Sequence, residues 1–420
     1  MNIEIINTGS ELMLGQVLNT HHAWLCRRLA DHGYLVRRQT SIPDTSGAIE
    51  SGLREAIGRA DLVICTGGLG PTADDLTRQA VANVAGRRLV EDASVVQHIE
   101  DWVASRNRPV PPAARSQALV PEGARLLPNA NGTAPGLLIE VLQRRARVPS
   151  RSAWLVMLPG PPRELKPMFD TQVLPWIART FEPPEPFVCH TIRSIGIPES
   201  AMQALLISPL APFTAAGLEL GYCARPGEVD VRLAARGSEA ARLVAEAEAV
   251  VLGLVGGHAY GTGDQQIEEV VVRALTTRKE TVATAESCTG GLLASRITDV
   301  PGASAVFLGG VVAYSNEVKE SLLGVRAETL EAYGAVSKPV AQEMAERTRE
   351  KMGADYALAT TGIAGPSGGT LSKPVGTVFI ALASGRDTTV LQRLNSFDRE
   401  TFKRVATQQA LDLLRGTLRV

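Results

Sequence analysis

Short apolar runs alternate along the first part of the chain with segments in which apolar residues recur every three to four positions. The runs typical of buried strands cover residues 2–8, 60–68 and 153–160. The segments typical of amphipathic helices cover residues 17–33 and 73–86, and each ends in a glycine, a common helix stop. Because buried strands alternate with helices, residues 1–170 are predicted to form a three-layer α/β domain with a mostly parallel sheet.

The pattern changes over residues 171–255, after a proline-rich stretch at 181–187 that is typical of a linker. Strand-like and helix-like segments follow each other in the order β-α-β-β-α. They cover residues 187–196, 198–208, 217–224, 228–236 and 238–256. This order predicts a small α+β module. A polar stretch at 142–153, inside the first domain, is predicted to be a peripheral hairpin.

Alternation of strands and helices resumes over residues 263–420, which predicts a second three-layer α/β domain. The expected helices cover residues 266–279, 292–300, 338–353 and 399–416. The expected strands cover residues 281–286, 305–315, 356–362 and 376–384.

Composition removes several function classes. The net charge of −1 gives no bulk attraction to nucleic acids or anionic membranes, and the apolar runs are shorter than the roughly 20 residues of a membrane span. The N-terminus lacks the pattern of a secretory signal. Five cysteines without a C-x-x-C pair disfavour zinc sites and disulfide frameworks, so a reducing cytoplasm is the expected location.

The sequence ESCTGG, residues 286–291, places two possible nucleophiles between a strand and a helix. Ser287 and Cys288 are adjacent, and unpaired N–H groups of a helix start can stabilise an oxyanion. Gly290 and Gly291 would let a substrate approach the backbone closely. The alternative interpretation is structural, with Ser287 or Thr289 serving only as a helix cap.

No histidine in the C-terminal domain can serve as the base that activates Ser287 or Cys288, because all six histidines lie at or before His258. A neutral lysine amine is the remaining way to activate a hydroxyl in this domain. Lys319 is expected at the third position of a helix capped by Asn316, where the helix dipole lowers the pKa of an amine. Tyr314 is a candidate proton relay or hydrogen-bond donor. The alternative is a solvated surface lysine.

A third glycine-rich strand exit lies at residues 357–370. Three such strand ends in one α/β domain are expected to converge on a crevice at the carboxyl edge of the sheet. Such a crevice suits a small molecule that carries a phosphate. The alternative is three ordinary turns.

A similar pattern occurs near the N-terminus, in residues 64–81. Thr72 and Asp75 have the spacing of a capping box, which would place Asp74 and Asp75 in the first turn of a helix. One interpretation is a well-capped helix. The other is a phosphate cradle whose carboxylates bind a divalent cation.

Residues 263–420 resemble the C-terminal domain of the CinA family, a nicotinamide-nucleotide amidohydrolase, through TAESCTGGLLASR, VVAYSNEVKESLLG and TTGIAGPSGG. The resemblance implies Ser287 as nucleophile, Lys319 as base and Tyr314 as its helper, with no cofactor. It also implies substrate contacts, with Ser304 as a further active-site serine. The expected substrate-binding residues, which include the two glycines of the turn after Ser287, are Thr289, Gly290, Gly291, Ser304, Thr361, Gly362 and Gly365.

Residues 1–170 resemble the N-terminal domain of the same family, a relative of the MoaB/MogA molybdopterin-binding fold, through GGLGPTADD. The resemblance implies hydrolysis of ADP-ribose to AMP and ribose 5-phosphate with a divalent metal and potassium. It implies Asp74 and Asp75 as metal ligands. The implied nucleotide or pterin pocket contains Glu11, Gly67, Gly68, Gly70 and Thr72.

The middle module resembles the KH-like part of these proteins. Its candidate G-x-x-G loop, residues 196–199, lacks the second glycine, so nucleic-acid binding is disfavoured and a structural or dimerisation role is expected. The resemblance implies an enzyme of pyridine-nucleotide salvage that acts on nicotinamide mononucleotide and ADP-ribose. It also implies a cytoplasmic homodimer with no membrane partner. The alternative is a molybdopterin- or nucleotide-binding scaffold, related to competence, without activity.

Overall fold

The computed structural model describes residues 1–143, 151–182 and 185–420. The chain divides into two compact units, Met1–Val188 with Arg236–Ser238 and Cys189–Ala235 with Glu239–Val420. The predicted polar hairpin and the predicted linker each include residues outside the described part of the chain, 144–150 and 183–184 respectively.

The first unit contains a sheet in which four neighbouring strands are parallel. Its strand order is β2-β1-β3-β8-β7-β6, and β7 and β6 are antiparallel to their neighbours. These strands are β1 (Ile3–Thr8), β2 (Val36–Ile42), β3 (Leu62–Thr66), β6 (Arg125–Leu127), β7 (Gly136–Gln143) and β8 (Arg151–Leu158). A separate antiparallel pair is formed by β4 (Leu89–Glu91) and β5 (Leu119–Pro121).

Helices cover both faces of this sheet. They are α1 (Ser10–Met13), α2 (Thr20–Ala30), α3 (Ser46–Ile57), α4 (Thr77–Ala85), α5 (Ala93–Ala104), α6 (Pro162–Met168) and α7 (Leu174–Thr180). Successive residues of a strand point to opposite faces, so Ile64 packs with the α2 side and Cys65 with the α3 side. The domain is therefore three-layered, as its alternation of patterns predicts.

The middle module has the predicted elements in the predicted order, together with one further short helix, α9 (Ala211–Ala215), and one further strand, β12 (Ala259–Thr262). It comprises β9 (Phe187–Ile195), α8 (Glu199–Leu206), α9 (Ala211–Ala215), β10 (Glu219–Arg225), β11 (Glu228–Arg236), α10 (Ala240–Val255) and β12 (Ala259–Thr262). The sheet order is β10-β11-β9-β12. The strand β12 is missed by the sequence pattern because it is only four residues long, contains a glycine and shows little alternation.

The C-terminal domain is built on a sheet of order β14-β13-β15-β16-β17. Its strands are β13 (Val282–Glu286), β14 (Phe307–Val312), β15 (Tyr356–Gly362), β16 (Thr377–Ala383) and β17 (Thr388–Leu394). Its helices are α11 (Ile267–Arg278), α12 (Leu292–Thr298), α13 (Asn316–Val318), α14 (Ala327–Tyr333), α15 (Lys338–Met352) and α16 (Arg399–Leu418). The strands β14, β13 and β15 are parallel, so their carboxyl ends meet at one edge.

Two apolar clusters lie on the two faces of this second sheet. Leu358 and Ile380 pack with α11, α12 and α16, whereas Ala359 and Ala381 pack with α15. The domain thus repeats the three-layer arrangement of the first. No helix among the described residues is long and apolar enough to cross a membrane.

Candidate functional sites

A cavity of about 230 Å³ opens at the carboxyl edge of β13, β14 and β15. We call it the C-terminal cavity. Five of the residues expected from the sequence line it, namely Ser287, Tyr314, Lys319, Thr361 and Gly362. It is also lined by Cys288, Asn316, Ala335, Val336, Ala364 and Arg399. The parallel register explains the convergence, because Glu286 of β13 pairs with both Val312 of β14 and Thr360 of β15.

The turn that carries Ser287 is held by the buried carboxylate of Glu286, which is 1% exposed. This carboxylate accepts hydrogen bonds from the backbone N–H groups of Gly291, Leu293 and Ala294, at 3.0, 2.9 and 2.8 Å. The hydroxyl of Thr289 donates to it as well, at 2.7 Å. The expectation that these helix-start N–H groups are available to an oxyanion is therefore wrong, because Glu286 occupies them.

Lys319 is buried, with 1% of its surface exposed, which rules out the solvated surface lysine. Its Nζ donates to the carbonyl oxygens of Ala313 and Tyr314, at 2.9 and 3.4 Å. Burial lowers the pKa of the Lys319 amine, because transfer out of water disfavours the charged form. A neutral amine that donates both hydrogens to carbonyls keeps a lone pair that can accept a proton.

The predicted cap of the helix that leads to Lys319 is wrong. Ser315, not Asn316, caps the short helix α13, and its side chain accepts a hydrogen bond from the Val318 N–H. Lys319 is consequently the fourth residue after the cap and not the third, and it begins the π-helical turn Lys319–Leu323 that continues α13. The main cause of its lowered pKa is burial.

Tyr314 contacts Arg399 through its hydroxyl group, which accepts a hydrogen bond from the guanidinium at 2.7 Å. Arg399 also donates to the carbonyl oxygen of Gly365, at 3.0 Å. Because Arg399 is the first residue of α16, it reaches the cavity from a part of the chain that sequence reasoning did not connect with it. Its position brings a permanent positive charge to a site expected to take a phosphate.

Cys288 is 6% exposed, and burial raises the pKa of its thiol to about 12. The thiol is therefore protonated near neutral pH. Since the thiolate is the nucleophilic form of cysteine, this environment disfavours Cys288 as the attacking group.

Some residues expected to bind substrate are not brought to the C-terminal cavity. Thr289 is fully buried and bonds to Glu286 and Thr360. Gly290, Gly291 and Gly365 adopt positive φ angles in the turns next to the cavity. Ser304 lies before β14, so the length of that strand separates it from the edge where the cavity opens.

A second cavity, of about 390 Å³, lies at the carboxyl edge of the first sheet. We call it the N-terminal cavity. Its walls come from the segments that follow β1, β2, β3 and β8. Of the residues expected from the sequence, it is lined by Glu11, Gly67, Gly68, Thr72, Asp74 and Asp75. It is also lined by Asn19, His21, Asp44 and Gly160, none of which was assigned to a site from the sequence. Gly70, which was expected in this pocket, lines a neighbouring cavity instead.

Glycine is required at position 67, where φ is +95°. A Cβ atom there would lie 2.7 Å from the Thr8 Oγ1 and 2.8 Å from the Thr8 carbonyl oxygen. The glycine-rich loop can therefore pass close to the end of β1, and it brings its backbone to the N-terminal cavity.

Asp74 and Asp75 are not in the first turn of a helix, as the spacing predicted. The helix α4 begins at Thr77, and these residues form a preceding turn in which Asp75 accepts a hydrogen bond from the Thr72 N–H at 2.9 Å. The Thr72 hydroxyl also donates to Asp75. The contact between Thr72 and Asp75 therefore closes a turn and does not cap a helix. Hydrogen bonding by Thr72 holds the pKa of Asp74 below its usual value, which keeps that carboxylate ionised.

The carboxylates of Glu11, Asp44, Asp74 and Asp75 give the N-terminal cavity a hard oxygen lining. No three His, Cys, Asp or Glu side chains among the described residues are close enough together to hold a metal ion alone. This donor set fits a magnesium ion that takes one or two carboxylates and completes its coordination with water and substrate phosphates.

Family models and curated relatives cover nearly the whole chain. The "CinA C-terminal domain" matches residues 264–418, a "Probable molybdopterin binding domain" matches 4–179 and the "Damage-inducible protein CinA KH domain" matches 190–261. A CinA-like protein of Akkermansia muciniphila is 44% identical over 98% of this chain and 96% of its own length. A CinA-like protein of Anaeromyxobacter dehalogenans is 41% identical over the full length of both chains.

The chain belongs to the CinA family. Its three modules are the MoaB/MogA-like, KH-like and C-terminal domains of that family. Among solved structures, a CinA superfamily protein of Klebsiella pneumoniae is 37% identical, with a TM-score of 0.36, and covers 36% of this chain and 96% of its own.

Proposed function

We propose that the C-terminal cavity of this CinA family member hydrolyses the amide of nicotinamide mononucleotide to nicotinate mononucleotide and ammonia. One observation carries the proposal: the Ser287 hydroxyl, the buried Lys319 amine and the Arg399 guanidinium line the same small cavity. A hydroxyl and a neutral amine that line one cavity provide a means of nucleophilic attack that needs no histidine.

The proposed reaction has two steps. In the first, Ser287 Oγ attacks the amide carbon while Lys319 accepts its proton, and Lys319 then passes that proton to the leaving nitrogen. The C–N bond breaks, ammonia leaves and an ester on Ser287 remains. In the second, water gives a proton to Lys319 and attacks the ester, and Ser287 recovers its proton as nicotinate leaves. Each proton has a donor and an acceptor among Ser287, Lys319, water and the substrate.

Arg399 is proposed to bind the phosphate of the mononucleotide. Its guanidinium is always charged and offers several donors in one plane, which suits phosphate oxygens. The bond from Arg399 to the Tyr314 hydroxyl holds the guanidinium at the cavity, so Tyr314 is proposed to position Arg399 and not to relay a proton.

The test is ammonia release from nicotinamide mononucleotide by purified wild-type and variant proteins. Ser287→Ala is expected to lower kcat by about 10³-fold or more, because no attacking oxygen remains. Cys288→Ser should retain most activity, since the buried thiol is not the nucleophile. Ser295→Ala, at an exposed serine of α12, serves as the matched control. Full activity in Ser287→Ala, or its loss only in Cys288→Ser, would contradict the proposal.

A second activity is favoured by the four carboxylates of the N-terminal cavity. We propose that this cavity hydrolyses ADP-ribose to AMP and ribose 5-phosphate with a divalent metal and potassium. Asp74 and Asp75 would hold the metal, which supplies positive charge that offsets the phosphates. The glycine-rich loop would contact the phosphates through its backbone. Failure of both reactions in pure protein that binds a pterin tightly would instead favour the scaffold without activity.

A further inference from the structure

The turn that carries Ser287, which is fully described, leaves one backbone donor for an oxyanion at the C-terminal cavity. The N–H groups of residues 287 and 290–294 all have acceptors, which are backbone carbonyl oxygens or the Glu286 carboxylate. Of the two residues between them, Thr289 is fully buried, whereas Cys288 lines the cavity. Attack on an amide places a negative charge on its carbonyl oxygen, and enzymes stabilise this charge with several fixed donors. A second donor is therefore expected elsewhere in the cavity.

Apart from the nucleophile itself, Asn316 is the polar side chain of this cavity that no other described residue engages. It lines the cavity with Ser287 and Lys319, it is exposed, and its carboxamide forms no hydrogen bond with any described residue. By contrast, the Thr361 hydroxyl donates to a backbone carbonyl oxygen at 2.8 Å. Arg399 and Lys319 each donate to two oxygen atoms of the protein. The Asn316 carboxamide is thus available to a ligand.

The cap of α13 explains why this carboxamide is available. The Ser315 side chain accepts a hydrogen bond from the Val318 N–H at 3.3 Å, so it takes the capping role that an asparagine oxygen could also fill. Asn316 is the first residue of α13, three positions before Lys319. A carboxamide nitrogen donates two hydrogens and keeps them, so Asn316 can bind an anionic oxygen without competing for the proton that Lys319 carries.

We infer that the Asn316 Nδ2 and the Cys288 N–H stabilise the oxyanion of the amide hydrolysis proposed for the C-terminal cavity, which makes Asn316 a catalytic residue. The inference rests on that proposed function. When Ser287 Oγ bonds to the amide carbon, the electron pair of the C=O π bond moves to the oxygen, and the two N–H groups bind it. The pair returns to re-form the carbonyl as the C–N bond breaks and the nitrogen takes the proton from Lys319, so no proton leaves Asn316.

The test measures ammonia release from nicotinamide mononucleotide by the wild-type protein and Asn316→Ala. The substitution is expected to lower kcat by about 10²-fold or more and to change KM by less than about twofold, because the lost bond strengthens only in the transition state. Tm should stay close to the wild-type value, since the exposed Asn316 side chain has no partner among the described residues. Glu320→Ala, at an exposed glutamate after α13, is the matched control and should match wild type in kcat, KM and Tm.

The aldehyde analogue of nicotinamide mononucleotide gives a readout that separates catalysis from structure. Its carbonyl carbon accepts Ser287 Oγ and has no leaving group, so a tetrahedral adduct accumulates. Asn316→Ala should weaken binding of this analogue by about 10²-fold in calorimetry. It should not change the binding of nicotinamide mononucleotide to the unreactive Ser287→Ala protein, since no oxyanion forms there. A side chain that only maintained the shape of the cavity would weaken both ligands equally.

Two kinetic results would overturn the inference and leave the proposed function standing. One is an active wild-type protein with an Asn316→Ala variant whose kcat lies within about threefold of it. The other is a raised KM at unchanged kcat, because Asn316 would then bind the substrate and not the transition state. If the wild-type protein releases no ammonia from nicotinamide mononucleotide, the proposed function of this domain fails and the inference fails with it.

Discussion

At the scale of single residues, the environment of each candidate group decides its chemistry. Ser287 and Cys288 are neighbours in sequence, yet burial raises the thiol pKa to about 12, whereas a serine hydroxyl needs only a neighbouring base. Lys319 can be that base because burial lowers the pKa of its amine. The sequence identified Ser287 and Lys319 as partners, because no histidine follows His258, but it predicted the wrong helix cap and did not show the burial that lowers the pKa.

The pH dependence of ammonia release tests the role of Lys319. The base must be neutral, so kcat/KM should rise with pH through the pKa of Lys319 and then level off. Because burial lowers this pKa, the midpoint should lie below the ordinary lysine value of 10.5. Cys288→Ser should give the same midpoint, which separates the amine from the thiol. A profile that rises only near the ordinary lysine value, or that does not rise at all, would contradict Lys319 as the base.

At the scale of elements, the strand β13 and the helix α12 are joined by the Glu286 carboxylate. This buried group replaces the usual capping residue, since the N-cap of α12 is Gly291, which has no side chain to accept a bond. A carboxylate that accepts N–H groups at a helix start is favoured by the helix dipole. The turn with Ser287 lies between the two elements, so Glu286 is expected to position the nucleophile.

Glu286→Ala is expected to destabilise the protein by about 3 kcal/mol, because several buried N–H groups lose their acceptor. Glu286→Gln should cost less, since its amide oxygen still accepts some of these bonds. Both variants should lower kcat more than they change KM, because the turn holding Ser287 is displaced. Chemical denaturation and steady-state kinetics measure the two effects.

Glu331→Gln, at an exposed glutamate of α14, is the matched control for the Glu286 variants and should match wild type in stability and rate. If Glu286→Gln loses stability but the folded enzyme keeps the wild-type kcat, Glu286 has a structural role only and does not position Ser287.

At the scale of the whole molecule, the two proposed activities belong to different compact units. The N-terminal cavity is lined only by residues of the first unit and the C-terminal cavity only by residues of the second. Each cavity therefore belongs to one unit, and the proposed chemistry differs, because carboxylates line one cavity and a buried amine the other.

A chelator should separate the two activities in the intact chain. EDTA is expected to abolish AMP release from ADP-ribose and to leave ammonia release from nicotinamide mononucleotide unchanged, since only the first reaction is proposed to use a metal. Asp74→Asn should lower AMP release by about tenfold or more at limiting magnesium, because a metal ligand loses its charge. Glu55→Gln, at an exposed glutamate of α3, is the control. Inhibition of ammonia release by EDTA would contradict the metal-free serine–lysine scheme.

The sequence by itself determined the alternation of strands and helices, because apolar periodicity reports directly which faces are buried. It also located the strand ends at which Ser287, Tyr314 and the glycine-rich loops lie, since parallel strands bring their carboxyl ends to one edge. Local patterns could not choose between Ser315 and Asn316 as the cap of α13, because both residue types cap helices well. The same limitation applied to Thr72 and Asp75, whose spacing fits a capping box and also a closed turn.

Only the tertiary structure decided which groups meet and how far each is from water. Arg399 reaches the C-terminal cavity from a helix more than 70 residues beyond Lys319 in sequence, and no local pattern connects the two positions. The burial of Lys319 likewise depends on segments that are distant in sequence, and the use of the α12 N–H groups by Glu286 depends on how the turn between β13 and α12 folds. Proton affinity and hydrogen-bond satisfaction are set by this three-dimensional environment, and therefore the chemistry of the sites was decided by the fold.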